Sequence, residues 1–202
     1  VLLYILARGG GQVIRPGFWL DFPREGLVAG GILPAIVGTV VLTMMSIAFA
    51  CLVGVPAGIY MAEYAPPGRL KTLIDIMTNN LAGIPSIVFG LFGMALFVVG
   101  FNFGDSLLAG SLTLAIMVLP VIIRTTEQAL RSVPYELRIA SIGMGATRFQ
   151  TIVRVVLPVG LPRVLTGVIL SIGRVAGETA PILFTVAALY LPRLPHSAFD
   201  QV

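Results

Sequence analysis

The stretch Ile32-Leu-Pro-Ala-Ile-Val-Gly-Thr-Val-Val-Leu-Thr-Met-Met-Ser-Ile-Ala-Phe-Ala-Cys-Leu-Val-Gly-Val-Pro-Ala-Gly-Ile-Tyr-Met-Ala62 carries no charged side chain. About 20 apolar residues cross roughly 30 Å of hydrocarbon as a helix, so this block predicts a membrane span over 32–62, long enough to tilt or project. Gly54 and Gly58 give it a small-xxx-small face for close helix contact. Working outward, similar blocks recur at 73–99, 107–123 and 164–191. The whole chain is 57% hydrophobic and 11% charged, with a mean hydropathy of +0.99. Such a composition cannot cover a water-facing surface with polar groups. The expected fold is therefore all-α, a polytopic transmembrane helical bundle forming a single domain over 1–202, with no room for a soluble domain.

The formal charge of +4 comes from basic residues scattered among apolar blocks, without a run of Lys or Arg and without interleaved aromatics, which argues against nucleic acid. It reads instead as topology. The polar stretch 9–31 is expected outside, and the Pro66-Pro67-Gly68 turn beside Arg69 and Lys71 inside. Within 124–163, Arg124, Arg131, Arg138, Arg148, Arg154 and Arg163 face only Glu127 and Glu136, marking a cytoplasmic loop. The tail 192–202 then falls outside. The second block is interrupted at Gly83-Ile84-Pro85-Ser86. The opening residues 1–7 are too few to span and are expected to be the tail of a helix begun upstream. A further helix is expected beyond Val202.

Inside the 124–158 loop, Pro134 and Glu136 suit the start of a short helix lined on one side by Leu137, Ala140, Ser141 and Met144 and ended by Gly143 and Gly145. Thr147-Arg148-Phe149-Gln150 fits a capping box for a second, whose apolar stripe stops before Pro158. Two amphipathic helices with arginines on their exposed sides suit either a docking surface for a soluble partner or a hairpin lying on anionic lipid.

The last block contains Arg174 and Glu178. Each charge costs about 2.5–3.5 kcal/mol at the centre of a membrane helix unless it finds water or a partner. Four apart, they share a helix face, continued by Ser171, Pro181 and Thr185, and Gly173 and Gly177 leave room for a neighbouring backbone. Two readings follow. The pair pins helix packing, or it lines a pathway in which Arg174 offers its planar donors to an oxyanion and Glu178 holds it when the site is empty.

The run Ile139-Ala140-Ser141-x3-Gly145-x9-Val155-x-Leu157-Pro158 resembles the E-A-A-x3-G-x9-I-x-L-P loop of bacterial ABC importer permeases. Ile139 stands where that family has Glu, and Ser141 where it has Ala; Glu136, one turn earlier, is the candidate replacement acid. Two further segments are similar to the PstA-type permeases of phosphate ABC importers: Arg174-Val-Ala-Gly-Glu-Thr-Ala-Pro-Ile-Leu-Phe-Thr185 and Leu81-Ala-Gly-Ile-Pro-Ser-Ile-Val-Phe-Gly-Leu-Phe-Gly93. The resemblance implies a type I ABC importer permease (MetI-like) fold with six helices, in a bacterial or archaeal cytoplasmic membrane. It implies a coupling loop in which Glu136, Ile139, Ala140, Ser141, Gly145, Ala146, Thr147, Leu157 and Pro158 meet an ATPase. For the substrate pathway it implies Arg174 and Glu178 only; Ser171, on their face, and Thr179, next in sequence to Glu178, are added as candidates from their position.

The partners it implies are a second homologous permease, two ATP-binding subunits and an external phosphate-binding protein, besides membrane lipid. ATP and Mg would reside on the ATPase, with no cofactor in this chain. The only lysine, Lys71, follows Leu70, so this sequence contains no G-x-x-x-x-G-K-[ST] loop. The single histidine, His196, and the single cysteine, Cys51, offer neither a catalytic triad nor a metal site within the membrane. Competing readings are the same machine carrying molybdate or sulfate, an ion-coupled secondary transporter, for which no inverted repeat is visible, and an assembly factor without transport.

Overall fold

A computed structural model describes residues 4, 9–11, 13–24, 29–66, 68–186 and 197–199. Helix α1 (Pro16–Leu20) precedes an antiparallel pair of two-residue strands, β1 (Pro23–Arg24) and β2 (Ala29–Gly30), the only departure from an all-helical architecture among the described residues. Helix α2 (Leu33–Glu63) is the first predicted span, displaced by one residue. At 1.5 Å per residue it is about 46 Å long, well beyond the hydrocarbon thickness.

The second apolar block is divided. Helix α3 (Arg69–Ala82) ends at Gly83, and α4 (Ser86–Gly93) starts behind Pro85 and continues as a π-helical segment over Met94–Gly100. Lys71–Leu81 and Ser86–Gly100 meet at 101°. Pro85 lacks the N–H that would continue the helix, and it biases Ile84 away from helical angles, so the chain turns there. Helix α5 (Leu107–Arg131) starts at Ser106, whose hydroxyl accepts from the Ala109 N–H, and runs two turns past the predicted end at 123. Those turns are polar yet helical, because Arg124, Glu127 and Arg131 sit three and four apart and pair along the helix.

Helix α6 (Tyr135–Gly143) and α7 (Arg148–Thr151) form the predicted hairpin. The second helix does not stop before Pro158. Instead it widens into a π-helical segment, Ile152–Val156, and continues as α8 (Leu157–Ala176). The carbonyl that the Pro158 ring would strike in a regular α-helix is that of Arg154, inside the widened segment, which removes the clash. The predicted single span 164–191 is broken as well: α8 ends at Gly177 and α9 (Ala180–Thr185) follows. Residues 187–196, with His196, lie outside the described residues.

Among the described residues, three helical stretches are long and apolar enough to cross a membrane, or four if the bent pair counts as one. Helix α5 is the central one: 61% of its apolar window is buried, against 33% for α2 and 28% for 148–176. Its contacts are built on glycines. A Cβ on Gly58 would lie 2.6 Å from Thr126 Cβ and 2.8 Å from the Ile123 carbonyl, and one on Gly54 2.8 Å from Ile122. This is the close approach that the small-xxx-small pattern predicts. The main core joins Leu42, Ile47, Phe89, Leu114, Met117, Val118, Ile122 and Val175, and a smaller cluster of Leu130, Val133 and Val156 lies at the arginine-rich end.

Candidate functional site

The hairpin is held in place by polar contacts that sequence periodicity does not display. Helix α6 closes with a left-handed Gly145 (φ 88°), which donates to the Ile142 carbonyl at 2.9 Å while Ala146 N–H donates to the Ser141 carbonyl at 3.2 Å. These two bonds are a Schellman closure, and they explain why glycine stands at 145 and not merely near it. The capping box is present: Thr147 Oγ1 accepts from Gln150 N–H at 3.3 Å, and Thr147 N–H donates to Gln150 Oε1 at 2.9 Å. Buried Ser141 and Thr151 join the two helices through their hydroxyls at 2.9 Å.

Of the arginines expected on the exposed side, Arg138 turns inward, and Arg148, though still exposed, folds back onto the end of α2. Arg138 donates to Glu63 Oε1 at 2.8 Å and to the Val133 and Leu130 carbonyls at 2.6 and 2.8 Å. Arg148 lies over the Tyr64 ring at 5.1 Å and donates to the Glu63 carbonyl. The physical reason is Glu63, a carboxylate at the end of α2 with a side-chain exposure of 9%, which needs a cation. What the hairpin presents outward is apolar: Tyr135, Ile139, Ile142, Met144 and Phe149 are all more than half exposed. Glu136 and Ala140 are exposed with them, Ala146 is half-buried, Leu157 packs on the smaller cluster, and Pro158 is exposed.

At the other end of α8 the structure separates the predicted face. Ser171 is buried and donates to the Gly167 carbonyl at 2.9 Å; Pro181 and Thr185 are buried too. Arg174 and Glu178 stay at the edge, on either side of the break, with Arg174 Nε 3.7 Å from Glu178 Oε1 and Thr179 exposed. That separation is an ion pair but too long for a hydrogen bond, so the guanidinium donors are not committed to the carboxylate. A Cβ added at Gly173 would meet nothing within 4 Å, and one at Gly177 only its own helix. The neighbouring backbone expected there is not supplied by the described residues, and the face is open.

One charged cluster was missed. Glu127, 4% exposed, lies 2.9 Å from Arg124, 3.0 Å from Arg131 and 3.8 Å from Lys71, while Arg124 also donates to Asp75 Oδ1 at 2.7 Å. The signal was Asp75, an ionisable group within an apolar block, which requires a partner.

Residues 54–194 match the family of binding-protein-dependent transport system inner membrane components. The chain belongs to this family. Its relatives include phosphate transport system permease protein PstA 1 of Mycobacterium tuberculosis (strain ATCC 25618 / H37Rv), 39% identical over 189 residues, 92% of this chain and 61% of that protein. PstA of Mycobacterium leprae (strain TN) is 39% identical over 191 residues, 92% of this chain and 62% of that one. The probable ABC transporter permease protein YqgI of Bacillus subtilis (strain 168) is 39% identical over 193 residues, 95% and 64% respectively. The chain thus spans about three fifths of the length of these relatives. Among solved structures, a chain of the MetNI methionine ABC transporter in an inward-facing conformation superposes with a TM-score of 0.63 at 26% identity, over 69% of this chain and 67% of that one. A second crystal form of the same transporter gives 0.64 over 87% and 72%, at 23% identity, a likeness of fold. The fold is that of a MetI-like ABC importer permease, a multi-pass membrane transport component.

Proposed function

We propose that this chain is part of the permease subunit of an ATP-driven importer of inorganic phosphate in a bacterial or archaeal cytoplasmic membrane. It works beside a second homologous permease, two ATP-binding subunits that carry ATP and Mg, and an external phosphate-binding protein. The observation that carries this reading is Arg174, a partly exposed guanidinium held only loosely by Glu178 at an interruption between two apolar helices. A planar set of donors suits a tetrahedral oxyanion, and a weakly held ion can leave as well as enter. Relatives named as phosphate transport permeases support phosphate as that oxyanion. The Tyr135–Thr151 hairpin supports the coupling role: it is tied to the bundle through Glu63 and offers an exposed apolar face to a soluble ATPase. Hydrolysis belongs to that partner, and this chain has a transport role without catalytic residues.

The test is ATP-dependent uptake of labelled phosphate into vesicles that contain the assembled importer, with sulfate and molybdate as competitors. Arg174→Gln removes a charged donor set, and the expected loss is about tenfold or more. Phosphate-selective uptake that collapses in the variant, with assembly intact, upholds the reading. Normal uptake by Arg174→Gln makes the pair a packing feature, and preference for molybdate or sulfate changes the cargo.

A further inference from the structure

Between α5 and α8, nearer the arginine-rich end than Arg174, lies an open groove of about 360 Å³ lined by Thr125, Gln128, Ala129, Ser132, Arg163, Thr166, Gly167 and Leu170. None of these is a carboxylate. Arg163 donates to Ser132 Oγ, and among the described residues no acidic group lies within ion-pair distance of it. The hydroxyls present are engaged with backbone: Thr125 Oγ1 donates to the Val121 carbonyl at 2.9 Å, Thr166 Oγ1 to Pro162 at 3.0 Å and Ser132 Oγ to Ala129 at 2.7 Å. Ser132 thus holds the guanidinium with a neutral lone pair, a weak contact that an anion outcompetes.

The position along α8 gives the groove its meaning. Residues 163, 167, 170 and 174 fall on one face of a helix with 3.6 residues per turn, so Arg163 and Arg174 lie on the same stripe, about 16 Å apart along the axis. Leu161, Leu165 and Ile169 make the other exposed side of α8 apolar, whereas the stripe carries both arginines with exposed Thr166 beside it and exposed Leu170 between them. Guanidinium and amide groups on a membrane helix face water or protein rather than lipid tails. The groove also closes tightly at its floor, where a Cβ on Gly167 would lie 2.4 Å from Thr125 Oγ1.

We propose that this groove is a second, low-affinity station for a phosphate-type oxyanion in transit, where Arg163 and Gln128 receive the ion after it leaves Arg174. This rests on the importer reading above. Two weak cationic stations along one face let an ion step across without being trapped, which one tight site cannot do. Lipid phosphodiester headgroups share this chemistry at the membrane boundary, so the experiment must separate the two sources.

The assembled importer is placed in nanodiscs of wholly zwitterionic lipid and, in parallel, of lipid containing phosphatidylglycerol. Cys51→Ser removes the thiol of this segment, other thiols of the importer are replaced likewise, and Thr166→Cys places one in the groove beside an intact Arg163. The rate of thiol modification by an anionic methanethiosulfonate is compared with that of a cationic one, with and without inorganic phosphate. We expect the anionic reagent to react faster by about tenfold, this preference to vanish with Arg163→Gln, and millimolar phosphate to slow the reaction in zwitterionic discs. In uptake, Arg163→Gln is expected to lose about tenfold, with partial recovery in Arg163→Lys. Insensitivity to phosphate and to Arg163→Gln overturns the proposal, and so does slowing that requires phosphatidylglycerol, which assigns the groove to lipid. Wild-type phosphate uptake, measured in the same preparation, judges the importer reading separately. If the wild type carries molybdate or sulfate instead, that reading fails and the groove is judged with the transported anion.

Discussion

Glu63 is the residue through which the hairpin is tied to the first long helix, and its replacement should loosen the hairpin without unfolding the bundle. Arg138 makes three hydrogen bonds, one to Glu63 and two to backbone carbonyls. Glu63→Gln keeps an acceptor and loses the charge, the difference between a charge-assisted bond and a neutral one, about 1 kcal/mol. Glu63→Ala loses the whole bond, about 2–3 kcal/mol, less than the ~3–5 kcal/mol of a broken buried pair because the two carbonyls still solvate the guanidinium. Arg138→Met removes all three bonds and leaves the Glu63 carboxylate without its cation, so it should cost most. Hydrogen exchange over 135–143 in the assembled importer reads this directly. Protection should fall about fivefold in Glu63→Gln and about 30- to 150-fold in Glu63→Ala if opening of the hairpin is the exchange-competent event. Phosphate imported per ATP hydrolysed should fall in the same order. If Glu63→Ala changes protection less than threefold, the Arg138 contact is not what holds the hairpin, and its proposed part in transmission falls with it.

Two further outcomes are expected. Gly58→Ala should destabilise the solubilised complex by about 1–3 kcal/mol in thermal denaturation, and Thr126→Ala should not restore it, since Thr126 Cβ and the Ile123 carbonyl are themselves the obstacles; a neutral Gly58→Ala would mean that α2 and α5 do not approach so closely. Gly177→Ala meets no clash, keeps an α-region backbone and favours continuing α8 by about 1 kcal/mol, so it should slow phosphate uptake while leaving assembly unchanged; unaltered transport would show that the interruption after Ala176 has no part in the cycle.

Much of the architecture is legible in the sequence, because a helix surrounded by hydrocarbon must satisfy its own backbone and declares itself by length and composition. The first span was placed to within a residue, the break at Gly83–Pro85 was marked by its proline, and the capping box at Thr147 was plain. The 101° bend was not legible, since a proline marks an interruption without fixing its angle, which depends on how α4 packs against α9. The continuity through Pro158 was hidden for a related reason: the rule that proline ends a helix holds for a regular register and fails in a π-helical one. The inward turn of Arg138 and the Glu127 cluster depend on acids and bases brought together from distant helices, and periodicity within one helix carries no information about them. Ser171 is buried although it shares an i, i+3 spacing with Arg174, because three residues leave it about 60° round α8, enough to pass from the edge into the packed side, and spacing alone does not resolve that difference.

The two interruptions belong to one piece of the molecule. Helix α9 lies against α4, with a Cβ on Gly90 placed 3.0 Å from Pro181 Cα and 3.2 Å from the Ala180 carbonyl. Each of these helices follows a break, at 83–85 and at 177–179, and both rest on α5, where Gly93 meets Thr113 and Gly110 meets Val186. Arg174 is carried by α8 and Glu178 by the linker to α9, so their 3.7 Å separation is not fixed as it would be for positions i and i+4 of one unbroken helix. A small tilt of the α4–α9 pair that shortened the gap to hydrogen-bond distance would commit the guanidinium to the carboxylate and weaken its hold on an anion; a tilt that lengthened it would do the reverse. An anion site of variable strength is what an alternating-access carrier needs at its centre, and under the pathway role proposed for Arg174 the helix break, rather than the identity of the two side chains alone, would supply it.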